Sequence, residues 1–181
     1  FMTPPFLPDA TVGSLYSARV TAVGGSPSWS MNDGTPVPWL NIDPFTGEIT
    51  GIPVETGTYT FTILGDDPVS GNSLSREYTI NINTPPKIET LSLPDGIAGR
   101  SYNAAFTASG GSEPFRWDVS GNLPEGLSLD QERGIISGAL IVPGIYDVEV
   151  TLKDASGASD SGNFRITVEE PEDVTAPNGI R

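Results

Sequence analysis

The feature that most constrains this chain is that it is written twice. Leu7-Pro8-Asp9 returns as Leu93-Pro94-Asp95, Gly13 and Tyr16 as Gly99 and Tyr102, and Gly24-Gly25-Ser26 as Gly110-Gly111-Ser112. After a two-residue insertion Trp29 returns as Trp117. Asp43, Gly47, Ile49 and Gly51 become Asp130, Gly134, Ile136 and Gly138; Gly57 and Tyr59 become Gly144 and Tyr146. The closing Tyr78, Ile80 and Ile82 become Phe164, Ile166 and Val168. Each copy is roughly 85–90 residues, enough to bury a core of its own. The 181 residues are therefore expected to fold as two domains, 1–84 and 85–170, with 171–181 as a tail or linker. Between them Asn83-Thr84-Pro85-Pro86 carries paired prolines and is expected to be stiff and extended.

Within each copy the apolar residues alternate with polar ones. Tyr16, Ala18, Val20 and Ala22 should face a core while Ser17, Arg19 and Thr21 face water. Tyr59, Phe61 and Ile63 alternate with threonines, and Tyr146, Val148, Val150 and Leu152 with Asp147, Glu149, Thr151 and Lys153. Trp39, Leu40 and Ile42 read as a further short strand, and Asp66 to Ser73 as a polar hairpin loop. Each copy thus holds about seven short strands separated by turn residues, which is the pattern of an all-β sandwich. The 21 glycines and 17 prolines fit many tight turns, and no window keeps helical apolar spacing without one of them. The prolines at 4 and 5 make the first strand a poor sheet edge at best. Edges invite pairing, and the C-terminal tail could supply a strand to such an edge in a polymer.

Composition excludes several classes of chemistry. There are no cysteines, hence no disulfide framework and no thiolate metal site. There are no histidines, which removes the usual general base and the commonest zinc ligand. The net charge of −14 is spread over both halves and would repel a phosphate backbone or an anionic membrane surface. No apolar run reaches the ~20 residues of a membrane span. The chain opens Phe1-Met2, as expected of a processed chain or a fragment of a longer one.

The ordered motifs resemble the immunoglobulin-like repeats of bacterial surface proteins, a family related to the cadherin-like domains of dystroglycan type. The second copy carries LPDG (93–96), GRSY (99–102), GGSEPFRW (110–117), LPEGLSLD (123–130), RGIISG (133–138), GIY (144–146) and DASG (154–157). The first carries TGEITGIP (46–53) and GTY (57–59) but lacks the LP-x-G before Trp39-Leu40. The resemblance implies two tandem immunoglobulin/cadherin-like β-sandwich domains in an extracellular protein at a bacterial or archaeal cell surface. It implies no activity, since function does not follow from fold. The leading expectation is a non-catalytic structural or adhesive protein: a spacer, or the subunit of a filament or pilus-type appendage. Its partners would be other copies of itself or neighbouring domains of a larger assembly. The alternative is a carbohydrate- or protein-binding accessory module of a secreted enzyme, with a glycan or a host surface protein as partner.

Candidate sites are few, and each has a plainer reading. Asp66, Asp67 and Asp154, on equivalent loops, could contribute to a calcium site, with Asp95 and the acids from Glu169 to Asp173 near domain ends. Calcium needs six to eight converging oxygens, and a solvated acidic surface explains the same residues, so no cofactor is expected. No carboxylate pair stands out for glycoside hydrolysis. The glycine doublets lack the lysine and helix of a phosphate loop. Trp29 and Trp117 occupy equivalent positions and read as core, whereas Trp39 has no tryptophan counterpart and is the better ligand contact. Leu140, Ile141 and Val142 replace the milder Pro53-Val54-Glu55 of the first copy. Three consecutive apolar residues cannot all face one core in an extended segment, so these three are the candidates for an interface.

Overall fold

The computed structural model describes residues 2–3, 6–32 and 37–172. The proline pair of the first strand and the tail beyond Glu172 lie outside the described residues, and with them the idea of strand donation. Two compact units divide the chain. The first comprises residues 1–86 together with Gly110–Glu113 and Asp154–Ala158; the second comprises Lys87–Ser109, Pro114–Lys153 and residues 159–181.

The first repeat holds β1 (Met2–Thr3), β2 (Ala10–Thr11), β3 (Tyr16–Arg19), β4 (Thr21–Ala22), β5 (Ser28–Met31), β6 (Leu40–Ile42), β7 (Glu48–Gly51), β8 (Gly57–Asp67) and β9 (Asn72–Asn83). One sheet runs β2-β9-β8-β5 and the other β3-β7-β6, with β1 paired to β4. The second repeat reproduces this with β10 (Lys87–Ile88), β11 (Gly96–Ile97), β12 (Ser101–Ala105), β13 (Ala108–Ser109), β14 (Arg116–Gly121), β15 (Leu127–Asp130), β16 (Ile135–Ala139), β17 (Gly144–Lys153) and β18 (Ser159–Glu169). Its sheets are β11-β18-β17-β14 and β12-β16-β15, with β10 on β13.

The about seven strands expected per copy appear as nine described segments, because two strands are interrupted. The first changes partner, from β4 to a parallel pairing of β2 with β9. The second is broken at Val20 and again at Phe106, whose amides donate to the carbonyls of Gly47 and Gly134 instead of continuing the ladder. An extra residue at such a step bends the strand and sharpens its twist. Two boundaries also differ from expectation. Trp39 lies in the turn before β6, and the β8–β9 hairpin carries Asp66 and Asp67 inside β8, leaving a tighter loop.

Each core is filled by the alternating residues. Val20, Ile49, Ile63 and Ile80 are fully buried in the first; Ile136, Val150, Leu152 and Ile166 in the second. Each such side chain stabilises its sandwich by about 1.5–3 kcal/mol relative to exposure. In the second core Phe106 stacks on Trp117 at 5.4 Å and meets Phe164 edge-on at 5.0 Å.

Candidate functional site

The repeated D-x-x-x-G segment is the chain's most recognisable motif, and its residues are occupied with folding. Asp43 Oδ1 accepts the amides of Phe45 and Thr46 at 2.9 and 2.8 Å. Asp130 Oδ1 does the same for Glu132 and Arg133. The amides of Gly47 and Gly134 return to the carbonyls of those two aspartates, closing each turn. Both glycines sit at positive φ, +68° and +66°. A β-carbon on Gly134 would come within 2.7 Å of the Trp117 indole, and one on Gly47 within 3.0 Å of Trp29. Glycine is therefore required twice over: for the left-handed backbone, and for a bare surface on which the core tryptophan lies flat. These hydrogen bonds hold the Asp43 carboxyl below the usual carboxylate range.

Asp154 has the densest polar environment among the described carboxylates. It is buried in the first unit, with Thr11 and Ser112. Its Oδ2 accepts the Thr11 hydroxyl at 2.6 Å and the Ser112 amide at 3.0 Å; Oδ1 accepts the Ser156 hydroxyl and the Ala158 amide, both at 2.8 Å. The Ser112 hydroxyl donates to the Ala10 carbonyl and receives Asn83 Nδ2. Burial pushes the Asp154 carboxyl up, but the four donors outweigh it and hold the group below its ordinary value. Both oxygens are thus committed to protein donors. The sequence reading missed Thr11 and Ser112. The G-G-S signal reads as a turn, and nothing local marks a serine or threonine as buried.

The other two aspartates serve their own hairpin. Asp66 accepts Ser73 Oγ at 2.6 Å, and Asp67 accepts the Val69 amide and Ser70 Oγ at 3.0 and 2.7 Å. Asp67, led by the Ser70 bond, is held below the usual carboxylate range. Asp66, Asp67 and Asp154 have no hydrogen-bond partner in common. Among the described residues no group of three or more His, Cys, Asp or Glu side chains is placed to hold a metal ion.

Trp39 is half-buried. Its ring meets Tyr16 and Tyr59 edge-on, at 6.2 and 6.1 Å. Its Nε1 and the Tyr16 hydroxyl are buried with no hydrogen-bond partner among the described residues. Burial, followed by the charge of Asp9, raises the Tyr16 pKa. The equivalent Tyr102 finds the Pro94 carbonyl at 2.9 Å, and burial followed by Asp95 pushes it up to about 12. The Trp39 ring is thus wedged between two tyrosines, which is unlike an open stacking platform for a sugar. The strand registers place Gly126 at the Trp39 position of the second repeat, so the three-ring cluster belongs to the first alone.

Leu140, Ile141 and Val142 divide. Leu140 is 1% exposed inside the second core, where the first repeat buries Pro53, and it is unavailable to a partner. Ile141 and Val142 face outward, at 55% and 42% exposure. The three lie between β16 and β17, with a bend at Val142, so strand alternation does not hold here and the path of the chain leaves both successors of Leu140 at the surface.

Residues 1–83 and 85–169 each match the family model described as Putative Ig domain. No curated protein sequence matches. Among solved structures the chain is similar to endo-fucoidan hydrolase MfFcnA9 from glycoside hydrolase family 107, at 20% identity over 90% of this chain and 32% of that one, with a TM-score of 0.56. It is similar to mouse cadherin-23 EC22-24, at 16% identity over 94% and 64%, TM-score 0.42. It is also similar to a "putative alpha-galactosidase/melibiase" from Bacteroides fragilis NCTC 9343, at 28% identity over 46% and 17%, TM-score 0.42. The chain spans less than two thirds of each of these three.

Proposed function

The chain belongs, in both of its halves, to the Putative Ig domain family, and from that premise we propose that it serves as a non-catalytic structural module: a spacer or building block of an extracellular surface structure. One observation carries this reading. The residues that the two copies share are spent on turns and cores, with Asp43 and Asp130 closing hairpins, Gly47 and Gly134 seating Trp29 and Trp117, and the alternating strands filling two sandwiches. A module selected for chemistry would repeat side chains that face a cleft; this one repeats side chains that face its own interior. Long antiparallel hairpins, β8–β9 and β17–β18, give each unit an extended ladder suited to bearing load along the chain.

The acidic surface keeps such a protein soluble and disfavours adhesion to anionic envelopes. Two measurements test the proposal. Labelling of intact cells with antibody to the full-length protein is expected to mark the outer surface. Titration with polysaccharides while following tryptophan fluorescence is expected to show no change. Quenching that disappears in Trp39→Phe would overturn the structural reading in favour of a glycan-binding module.

A further inference from the structure

The first unit is built from three stretches of chain, and two of them lie in the sequence of the second repeat. Gly110–Glu113 lies between β13 and β14, and Asp154–Ala158 is the turn of the β17–β18 hairpin. Polar, buried contacts hold both turns in the first unit. Thr11 donates to Asp154 Oδ2 at 2.6 Å, and its hydroxyl lies 3.0 Å from that of Ser112. Ser112 Oγ in turn donates to the Ala10 carbonyl and accepts Asn83 Nδ2. The Gly111 amide donates to the Thr84 carbonyl at 2.6 Å, and a β-carbon on Gly110, at φ +65°, would meet the Thr84 hydroxyl at 2.5 Å. The two turns are also tied to each other: the Ser112 amide donates to Asp154 Oδ2, and the Ala155 amide to the Ser112 carbonyl at 2.8 Å. Tyrosine and tryptophan apart, Thr11, Ser112 and Asp154 are the buried polar residues among those described, so polar burial is concentrated at this one place.

The cluster is built once. At the register positions of Thr11 and Asn83 the second repeat has Ile97 and Glu169, which bring neither a hydroxyl nor an amide. Asp67, the counterpart of Asp154, takes its donors from Val69 and Ser70 of its own loop. The second unit reaches the same strand order without these groups, so the sandwich itself does not require them.

We propose that this cluster couples the stabilities of the two units, so that the opening of either one must break it. The reason is connectivity. Both turns are continuous with strands of the second unit, and those strands set their geometry: the Asp154 amide closes on the Ala158 carbonyl, just beyond the last ladder pair, Lys153 with Ser159. When the second unit opens, the turns lose that geometry and the cluster goes with it. When the first unit opens, Thr11 and Asn83 leave instead. The same bonds are broken in both cases, so their free energy enters the opening cost of each unit, and the coupling is reciprocal. Each unit still opens by itself, at a cost that the cluster raises. The coupling holds whether the chain serves as a spacer or as an accessory module.

Hydrogen exchange of the full-length protein tests it, read by mass spectrometry on the β3–β7 ladder of the first unit and the β12–β16 ladder of the second. Neither ladder contains a residue of the cluster. Thr11→Val removes a hydrogen bond to a charged group, and exchange should accelerate roughly 10–150-fold, by the same factor in both ladders. Ser112→Ala, which keeps the amide bond to Asp154, should accelerate both ladders together as well. Ile80→Val, in the first core and outside the cluster, should accelerate β3–β7 alone. If Thr11→Val and Ser112→Ala accelerate only the first unit, or neither, the coupling is refuted. Acceleration of both ladders by Ile80→Val also overturns it, because the units would then open together whatever the cluster did.

Discussion

Replacing Gly134 by alanine tests the seat of Trp117 in the second core. The residue has φ +66°, a backbone that costs an L-amino acid about 1–2 kcal/mol. Its new β-carbon would lie 2.7 Å from Cε2 and Nε1 of Trp117 and 2.9 Å from Cδ2. An indole stacked on Phe106 cannot yield by turning a flexible end, so the overpacking adds about 1–3 kcal/mol. The total, about 2–5 kcal/mol, is a large share of what a domain of this size has. The matched control is Gly99→Ala, where φ is +82° and nothing lies within 4 Å of the added carbon; it should cost the backbone term alone. Chemical denaturation followed by tryptophan fluorescence and calorimetry gives both values. The Gly134→Ala transition of the second sandwich is expected to fall by on the order of 10–40 °C and the control by a little under half of that. A Trp117→Leu background should bring the two substitutions close together. Equal costs for Gly134→Ala and Gly99→Ala in the wild-type background would refute the argument that the tryptophan is what forbids a side chain.

Asp154 gives a pH dependence. Its pKa is lowered in the folded protein, so its stabilisation is present above the unfolded value of about 3.9 and is lost as pH falls through the lower folded value. Asp154→Asn should cost roughly 2–4 kcal/mol at neutral pH, with the gap to wild type shrinking below about pH 4; a constant gap would disprove the assignment. Leu140→Ala should cost about 2–5 kcal/mol, while Ile141→Ser and Val142→Ser should stay within about 0.5 kcal/mol, all read from denaturant midpoints. Chelator or millimolar calcium should leave the unfolding temperature unchanged, because Asp67 and Asp154 have already committed both oxygens to protein donors. A rise with calcium that vanishes in Asp67→Asn would contradict this.

The sequence by itself determined the sandwich. Alternation at Tyr59, Phe61 and Ile63, and at Tyr146, Val148, Val150 and Leu152, settles which faces turn inward, because side-chain direction has period two in any extended chain. The repeat settles that the pattern occurs twice, and the shared Gly47 and Gly134 mark their turns because no other residue takes that backbone without strain. Polar burial was not legible in that way. Thr11, Ser112 and Asp154 are ordinary surface residue types, lying far apart in sequence. Only the tertiary structure places their hydroxyls and amide around one carboxylate, where four donors outweigh the cost of burying it. The same holds for Leu140 to Val142: the sequence shows three apolar residues in a row, and the backbone path alone decides that Leu140 fills the core and its two successors face out. The difference lies in range. Periodicity and turn chemistry are local, whereas the satisfaction of a buried polar group depends on which distant segments the fold brings within about 3 Å.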